Sequence, residues 1–375
     1  MLCTVRQVGT RTDTELRDVE LRDVWRARLA VAIDGSGTAA GVCGLSVLVV
    51  QHHSAAALGA ILSGRLAAVG AAWVWTTHAH RRGDVPVGGF ARWVWAMVCS
   101  NFLLVVGAAL GLGVPYLLVL YAVAASCNSV AGMQATGRGV NDIVAIGPAG
   151  GVGLAIGGVV VGTCFHTFGS AGVMWSCAVL LFLQLVEVPL IGSKPLVVTT
   201  QSRKIPFEPV AIGLCLGLVA FPPLALYYGV VTATLGAAWV APAAFTYALS
   251  GLLAPVVERR LHQRLRWTTL VLALVFLNAL HVLLSGGGWF MLVDRASSGV
   301  VAFLIQGHVS RKLLERYELG GVYAFGLGIS VGVAAGVAMY GAVVSSYGIA
   351  SASAVMVCLS LLAGPPAMRL LAREK

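Results

Sequence analysis

The chain has 375 residues, of which 58% are hydrophobic and only 11% are charged, and its mean hydropathy is +0.88. Because about a quarter of the residues of a soluble domain are charged, this composition excludes a soluble globular protein and indicates a membrane protein. The net charge of +10 would suit a nucleic-acid-binding protein, but the basic residues cluster between apolar segments, so we expect no nucleic-acid partner.

Apolar segments follow one another along the whole chain, each near the roughly 20 residues that a helix needs to cross a bilayer. We expect transmembrane helices at 29–51, 54–76, 89–112, 115–136, 142–163, 170–193, 207–229, 236–256, 267–285, 288–308, 320–343 and 348–368. The sequence therefore predicts an all-α membrane protein with twelve transmembrane helices.

The basic residues alternate between the connections of these segments. Of the 25 lysines and arginines, 23 lie in the two tails, at every second connection or in the adjoining ends of segments, as Arg92 does, and only Arg65 and Arg295 lie deeper inside segments. The intervening connections, such as "QHH" and "SGGG", hold none. Because loops rich in Lys and Arg stay in the cytoplasm, we expect both termini and the middle loop to be cytoplasmic.

The glycines reveal an internal repeat. The stretch "GPAGGVGLAIGGVVVG" begins at Gly147, and a shift of 179 residues superposes five glycines without a gap. The matching pairs are Gly147 with Gly326, Gly153 with Gly332, Gly157 with Gly336, Gly162 with Gly341, and Gly169 with Gly348. Since the shift is close to half the chain, it predicts two parallel six-helix halves, which is a transporter architecture.

The repeat and the polar breaks together define the expected domains. We expect a cytoplasmic N-terminal tail at 1–26, an N-terminal six-helix half at 27–193, a cytoplasmic linker at 194–206 and a C-terminal six-helix half at 207–371.

Two stretches resemble a known family. The sequence "GVNDIVAIGPAGGVGLAIGG" (139–158) resembles the antiporter motif of the major facilitator superfamily, with Gly147, Pro148 and Gly151 on the motif core and Val152 where the second motif glycine usually stands. The first two segments are similar to the branch that holds macrolide-efflux pumps and siderophore exporters, which places Asp34 and Arg65 on its acidic and basic positions. The resemblance implies the major facilitator fold and proton-driven efflux.

Ionisable residues inside the segments are the candidate transport residues, because a charge at the bilayer centre costs at least about 2.5 kcal/mol. They are Asp34, Arg65, Asp294 and Arg295, while Glu187 lies nearer a cytoplasmic end. Asp34 either carries the coupled proton or forms a structural ion pair with Arg65 that fixes helix packing. Adjacent residues on a helix face different directions, so Asp294 and Arg295 each need a partner of their own.

The glycine-rich helices are the second candidate feature. Small residues let transmembrane helices approach closely, so we expect tight contacts along this group, which either permit rocking of the two halves or serve packing alone. The group comprises Gly147, Pro148, Gly151, Gly157, Gly326 and Gly336.

These observations predict a secondary active transporter, monomeric and in the cell membrane, that exports small amphipathic or hydrophobic compounds in exchange for protons. An uptake symporter on the same fold and a non-transporting multi-pass protein, viral or scaffold, are the alternatives. The cysteines are scattered singly and no ATP-binding or catalytic motif is found, so we expect no cofactor, no metal site and no enzymatic activity.

Overall fold

In the computed structural model, residues 13–72, 74, 87–137, 143–191, 206–261, 267–282 and 287–372 are described, and all regular secondary structure among them is helical. The α-helices are α1 (Asp13–His52), α2 (Ala55–Ser63), α3 (Val87–Ala109), α4 (Val114–Gly137), α5 (Ile143–Leu183), α6 (Glu187–Ile191), α7 (Phe207–Val219), α8 (Pro222–Leu235), α9 (Val240–Leu261), α10 (Trp267–Leu280) and α11 (Gly288–Ala372). Short 3₁₀ turns at Gln184–Val186 and Ala237–Trp239 join α5 to α6 and α8 to α9.

Seven helical stretches of the described residues are long and apolar enough to cross a membrane. They are Trp25–His52, Ala55–Ala72, Gly89–Ala109, Val114–Ala135, Ala149–Ile191, Phe207–Leu235 and Ala324–Leu371, with shorter apolar helices at Ala237–Leu253 and Thr268–Leu280. The expectation of a helical, multi-pass membrane protein is therefore confirmed.

The two longest stretches have 43 and 48 residues, about twice the length that a single crossing needs. Each contains a glycine with left-handed backbone geometry, Gly169 at φ +61° and Gly348 at φ +82°. The conformation interrupts a right-handed helix and is accessible mainly to glycine. These two glycines are one of the pairs that the 179-residue shift matches.

α11 also turns back upon itself before Gly348. A Cβ atom added to Gly321 would lie 3.2 Å from the carbonyl oxygen of Leu313. Eight residues of a straight helix rise about 12 Å, so the chain changes direction between these two residues.

Glycines bring pairs of helices into backbone contact at equivalent places in the two halves of the sequence. A side chain at each of four glycines would collide with a backbone carbonyl: Gly153 with Ala32, Gly157 with Ser36, Gly332 with Leu214 and Gly336 with Leu218. The glycines are related by the shift of 179 residues and their partners by a shift of 182. α1 therefore packs on α5 as α7 packs on α11.

A second set of close contacts joins the first half of the sequence to the second. α5 meets α9 and α2 meets α11 at these places: Gly151 at Gly251, Gly158 at Ala244, Gly162 at Ala241, Gly59 at Val337 and Gly341 at Ala55. We call the contacts of α5 with α9 and of α2 with α11 the seam.

Not every expected packing glycine lies in such a contact. Gly326 has no atom within 4 Å of the position that its Cβ would occupy. Gly147 and Pro148 are helical, but their surroundings lie outside the described residues, as do the tail at 1–12 and most of the linker at 194–206.

Candidate functional site

A cavity of about 310 Å³ lies among the helices of the first half. Its wall is formed by α1, α3, α4, the residues after Gly64, and the segment from the end of α5 to α6, while Ser330 of α11 completes it. The expected residues Asp34 and Arg65 both line this cavity.

Asp34 is held by a buried glutamine. The side-chain amide of Gln184 donates to the Asp34 carboxylate at 3.2 Å and lies 3.3 Å from the Asp34 backbone carbonyl. Gly37, one turn further along α1, makes room for this arrangement, because any side chain there would collide with Gln184. The local sequence "DGSG" thus lets Gln184 reach the carboxylate.

Glu187 is a second carboxylate in the same cavity. It lies one turn after Gln184, is only 5% exposed and is close enough to Asp34 for the two carboxylates to interact electrostatically. Among the described residues, its Oε1 atom and the Oε1 atom of Gln184 have no hydrogen-bond partner. The sequence analysis placed Glu187 at a helix end and did not predict that it lines the cavity. The feature that could have indicated this is its spacing of three residues from Gln184, which puts both side chains on one face of a helix.

Arg65 is the basic residue of the cavity wall. It follows the turn at Gly64 that ends α2, and its guanidinium lies against the Tyr121 hydroxyl. Within the part of the chain that the structure describes, no ion pair of 4.0 Å or less joins Arg65 to Asp34 or Glu187. The cavity therefore contains charges of both signs that do not neutralise each other by contact.

Asparagines add polar groups to the same wall. The Asn101 amide donates to the Asn128 side-chain oxygen at 2.7 Å and to the Met97 carbonyl at 2.8 Å, which fixes its orientation toward the cavity. The cavity wall thus contains uncharged polar side chains as well as charged ones, whereas a wall built of Ala, Val, Leu and Gly alone would contain neither.

Asp294 and Arg295 lie outside this cavity and have separate partners. Asp294 is fully buried, and its Oδ1 atom lies 3.2 Å from Nδ1 of His281, which is also buried. His281 follows α10 and was not foreseen from the sequence. Its ring packs edge-on against Tyr227, with the centroids 5.8 Å apart.

Arg295 lies among three tyrosine rings. Its guanidinium carbon is 4.1 Å from the ring centroid of Tyr227, 5.0 Å from that of Tyr228 and 3.9 Å from that of Tyr247. One nitrogen donates to the Tyr228 hydroxyl at 3.2 Å. The side chain is only 2% exposed, and its Nε and Nη1 atoms have no hydrogen-bond acceptor among the described residues. Cation–π attraction is therefore the main compensation for burying this charge.

The described residues contain no group of three His, Cys, Asp or Glu side chains that could hold a metal ion. The three buried thiols of the described residues, Cys43, Cys127 and Cys177, belong to the apolar core.

Comparisons with known proteins identify the fold. No protein-family model matches the chain, and no curated protein sequence does. Among solved structures, the nucleoside transporter NupG is similar at a TM-score of 0.65 and 14% identity, over 95% of this chain and 100% of its own. The D-xylose-proton symporter reaches 0.66 at 12% identity, over 92% and 97%. A peptide transporter, POT, solved with sulfate, reaches 0.65 at 12% identity, over 92% and 95%.

These three proteins are transporters, and none is an enzyme. At such low identity the similarity establishes the fold alone. The chain therefore shares the fold of these three transporters over nearly its whole length.

Proposed function

We propose that this chain is a secondary active transporter that works by alternating access. The observation that carries the proposal is the charged cavity, with Asp34, Glu187 and Arg65 in its wall, in a fold shared with three transporters. Ionisable side chains at membrane depth are costly and commonly mark substrate or proton pathways.

The proposal includes the full architecture: twelve transmembrane helices in two parallel halves, 27–193 and 207–371, with both termini in the cytoplasm and the protein a monomer in the cell membrane. Three observations support the count. Gly169 and Gly348 interrupt the two longest spans, and the chain changes direction between Leu313 and Gly321. The glycine contacts that repeat at a spacing of 179 residues support the two halves.

Protons are the proposed coupling ion. Asp34 would take up a proton when the cavity faces one side of the membrane and release it when the cavity faces the other, and Arg65 would modulate its proton affinity. The Asp294–His281 pair is the second proposed proton site, since the two ionisable side chains are buried and lie 3.2 Å apart. Arg295 would tune that pair.

Export of small amphipathic or hydrophobic compounds is the proposed direction. The antiporter-type motif at 139–158 supports it, and part of this motif lies in the seam, where Gly151 meets Gly251 and Gly158 meets Ala244. Close glycine contacts permit two helices to shift against each other without interlocking side chains. Movement between the halves would use this contact.

The test is proton flux in inside-out vesicles loaded with a pH-sensitive dye. After energisation, we would add a panel of dyes, macrolides, siderophores and small amphipathic compounds, amino acids among them, to vesicles that contain the wild type, Asp34→Asn or Glu315→Gln. Glu315 is exposed and remote from the cavity wall, so its variant is the matched control. Dequenching by a compound in the wild type and the control, but not in Asp34→Asn, supports proton-coupled export.

An uptake symporter is the second candidate, because one protein of this fold is a D-xylose-proton symporter. Uptake predicts no dequenching in the inside-out assay; adding the substrate to de-energised right-side-out vesicles would instead raise the pH of the medium. Silence in both assays with folded protein would favour a non-transporting membrane protein.

A further inference from the structure

The charges of the cavity indicate the chemical class of its ligand. Two carboxylates, Asp34 and Glu187, occupy one part of the wall, and Arg65 occupies another. No ion pair of 4.0 Å or less joins Arg65 to either carboxylate in the described chain. Glu187 is buried, whereas Asp34 and Arg65 are exposed. A buried charge without an ion-pair partner is costly, so a cationic group at the carboxylates would offset the cost of burying Glu187, and an anionic group would pair with Arg65.

The hydrogen-bond acceptors near the carboxylates point to a donor group on the ligand. Glu187 is only 5% exposed, and its Oε1 atom has no hydrogen-bond partner among the described residues. The same holds for Oε1 of the buried Gln184. Asp34 accepts from the amide nitrogen of Gln184, which leaves that amide oxygen free to accept. An ammonium group has three N–H donors and one positive charge, so it would pair with the exposed Asp34 carboxylate and offset the charge of the buried Glu187 beside it.

Arg65 favours an anionic group on the ligand. The Arg65 guanidinium lies against the Tyr121 hydroxyl, and the Asn128 side chain lines the same wall. A guanidinium presents a planar set of donors that matches a carboxylate, and a hydroxyl beside it adds a further donor.

The volume limits the size of the ligand. The cavity of about 310 Å³ corresponds to the space of about ten water molecules at about 30 Å³ each. A compound of about ten non-hydrogen atoms fits this space, which is the size of an amino acid.

We propose that the cavity binds a small zwitterion, with the ammonium group at Asp34 and Glu187 and the anionic group at Arg65. The inference rests on the proposed transport function, because it assigns the substrate class of that cavity. Its test, however, measures binding and not flux.

The experiment compares ligands of one skeleton that differ only in charge. For leucine these are L-leucine, the cation L-leucinamide and the anion 4-methylpentanoate, and equivalent sets are made from alanine and phenylalanine. Binding to the purified protein is measured by calorimetry for the wild type, Glu187→Gln and Arg65→Gln. The exposed residues provide matched controls, Glu315→Gln and Lys312→Gln.

In the wild type and both controls, we expect at least one zwitterion to bind tenfold or more tightly than its cation and its anion. Glu187→Gln should weaken the zwitterion and the cation at least tenfold but leave the anion unchanged. Arg65→Gln should show the opposite pattern, and Arg65→Lys should recover part of the loss. Because each variant keeps one ligand that it binds normally, that ligand also reports correct folding.

Three results would overturn the proposal: equal binding of the three charge forms in the wild type, a preference for the zwitterion that survives both substitutions, or no binding by any set. A zwitterion that binds but drives no proton flux would leave this inference intact and contradict the proposed coupling. Proton flux driven only by singly charged compounds would support the proposed coupling and contradict this inference.

Discussion

At the scale of single residues, Asp294 and Arg295 illustrate how neighbours in sequence acquire different environments. Successive side chains of a helix point about 100° apart, so Asp294 meets His281 while Arg295 meets the three tyrosine rings. The buried guanidinium loses its hydration, and the rings offset part of that loss. Its net contribution to stability is therefore small, even though its surroundings are specific.

The first prediction concerns this arginine. Arg295→Lys keeps the charge, but an ammonium group is more strongly hydrated and cannot stack flat on the rings. We expect it to be less stable than the wild type by about 2 kcal/mol, whereas the neutral Arg295→Met should stay within about 1 kcal/mol of it. Thermal unfolding in detergent, followed by tryptophan fluorescence, measures both. A lysine variant as stable as the wild type would show that charge alone, and not ring stacking, is what the site requires.

Sequence reasoning found part of these residues. Asp34 and Arg65 stand out because each is an ionisable residue in an apolar segment, and the structure brings both to one cavity. Glu187 lies at the end of its segment, where an acidic residue is unremarkable, and its burial depends on the packing of α6. The tyrosines around Arg295 come from α8 and α9, and their convergence depends on tertiary packing that one sequence does not reveal.

At the scale of the helices, glycine positions decide how closely backbones approach. A side chain at Gly153 or Gly332 would collide with backbone carbonyls of α1 or α7, which cannot rotate away. By contrast, Gly326 and Gly70 have no atom within 4 Å of an added Cβ. The sequence motif does not separate these classes, because it marks glycines without showing which face of the helix they occupy.

The second prediction is that substitution by alanine distinguishes the glycines in backbone contacts from the glycines in open space. Gly153→Ala and Gly332→Ala should each destabilise the protein by about 1–3 kcal/mol through overpacking. Gly326→Ala and Gly70→Ala should be neutral or stabilising by up to about 1 kcal/mol, because alanine favours a helix. The four melting temperatures in detergent provide the comparison. Equal losses at all four sites would mean that the contacts of α1 with α5 and of α7 with α11 are not specific.

The third prediction concerns the helix interruptions. An added Cβ at Gly169 or Gly348 would touch nothing, but both residues have positive φ. The cost of alanine there is therefore purely a backbone cost, about 1–3 kcal/mol. The same unfolding measurement applies, with Gly70→Ala as the reference for a helical glycine in open space. Unchanged stability in both variants would indicate that the chain passes through these points as a regular helix.

Helix ends were harder to predict than helix positions. The helical residues cover most of the expected apolar segments, but α5 and α11 continue across expected connections such as "TCFHTFGS" and "SSYG". These connections are short and uncharged, so a single glycine suffices to redirect the chain. Sequence periodicity cannot distinguish such a redirected helix from a loop of a few residues.

At the scale of the whole molecule, α2 and α11 pack tightly at one end of their contact, and the chain that follows α2 lines the cavity. Near the 51–54 connection, Gly59 packs on Val337 and the Ala56 amide donates to the Ser345 hydroxyl at 2.8 Å. Further along, Ala68, in the residues that follow α2, and Ser330 of α11 both line the cavity. With the proposed topology and function we expect this to be a cytoplasm-facing state, in which transport requires the tightly packed end to open.

The fourth prediction tests this by linking the tightly packed end. In Ala56→Cys/Ser345→Cys an oxidant should form a disulfide readily, since the hydrogen bond places the two backbones within the span that a disulfide bridges. Substrate-driven proton flux should then fall at least tenfold and return on reduction, because the link prevents opening of the far side. Cleavage at a protease site inserted in the 194–206 stretch reveals the link as a size shift on a gel.

The matched pair is Ala68→Cys/Ser330→Cys, at two residues that line the cavity. In a cytoplasm-facing state the cavity would lie open between these side chains, so the pair should resist linkage in the resting protein. Rapid linkage of both pairs in the same state would contradict the one-sided opening, since α2 and α11 would then be in contact along their whole length. Full transport by the linked Ala56→Cys/Ser345→Cys protein would contradict alternating access, because the two halves could not move apart at that end. Only inhibition by the first pair, reversed by reduction, fits a transporter that opens along this seam.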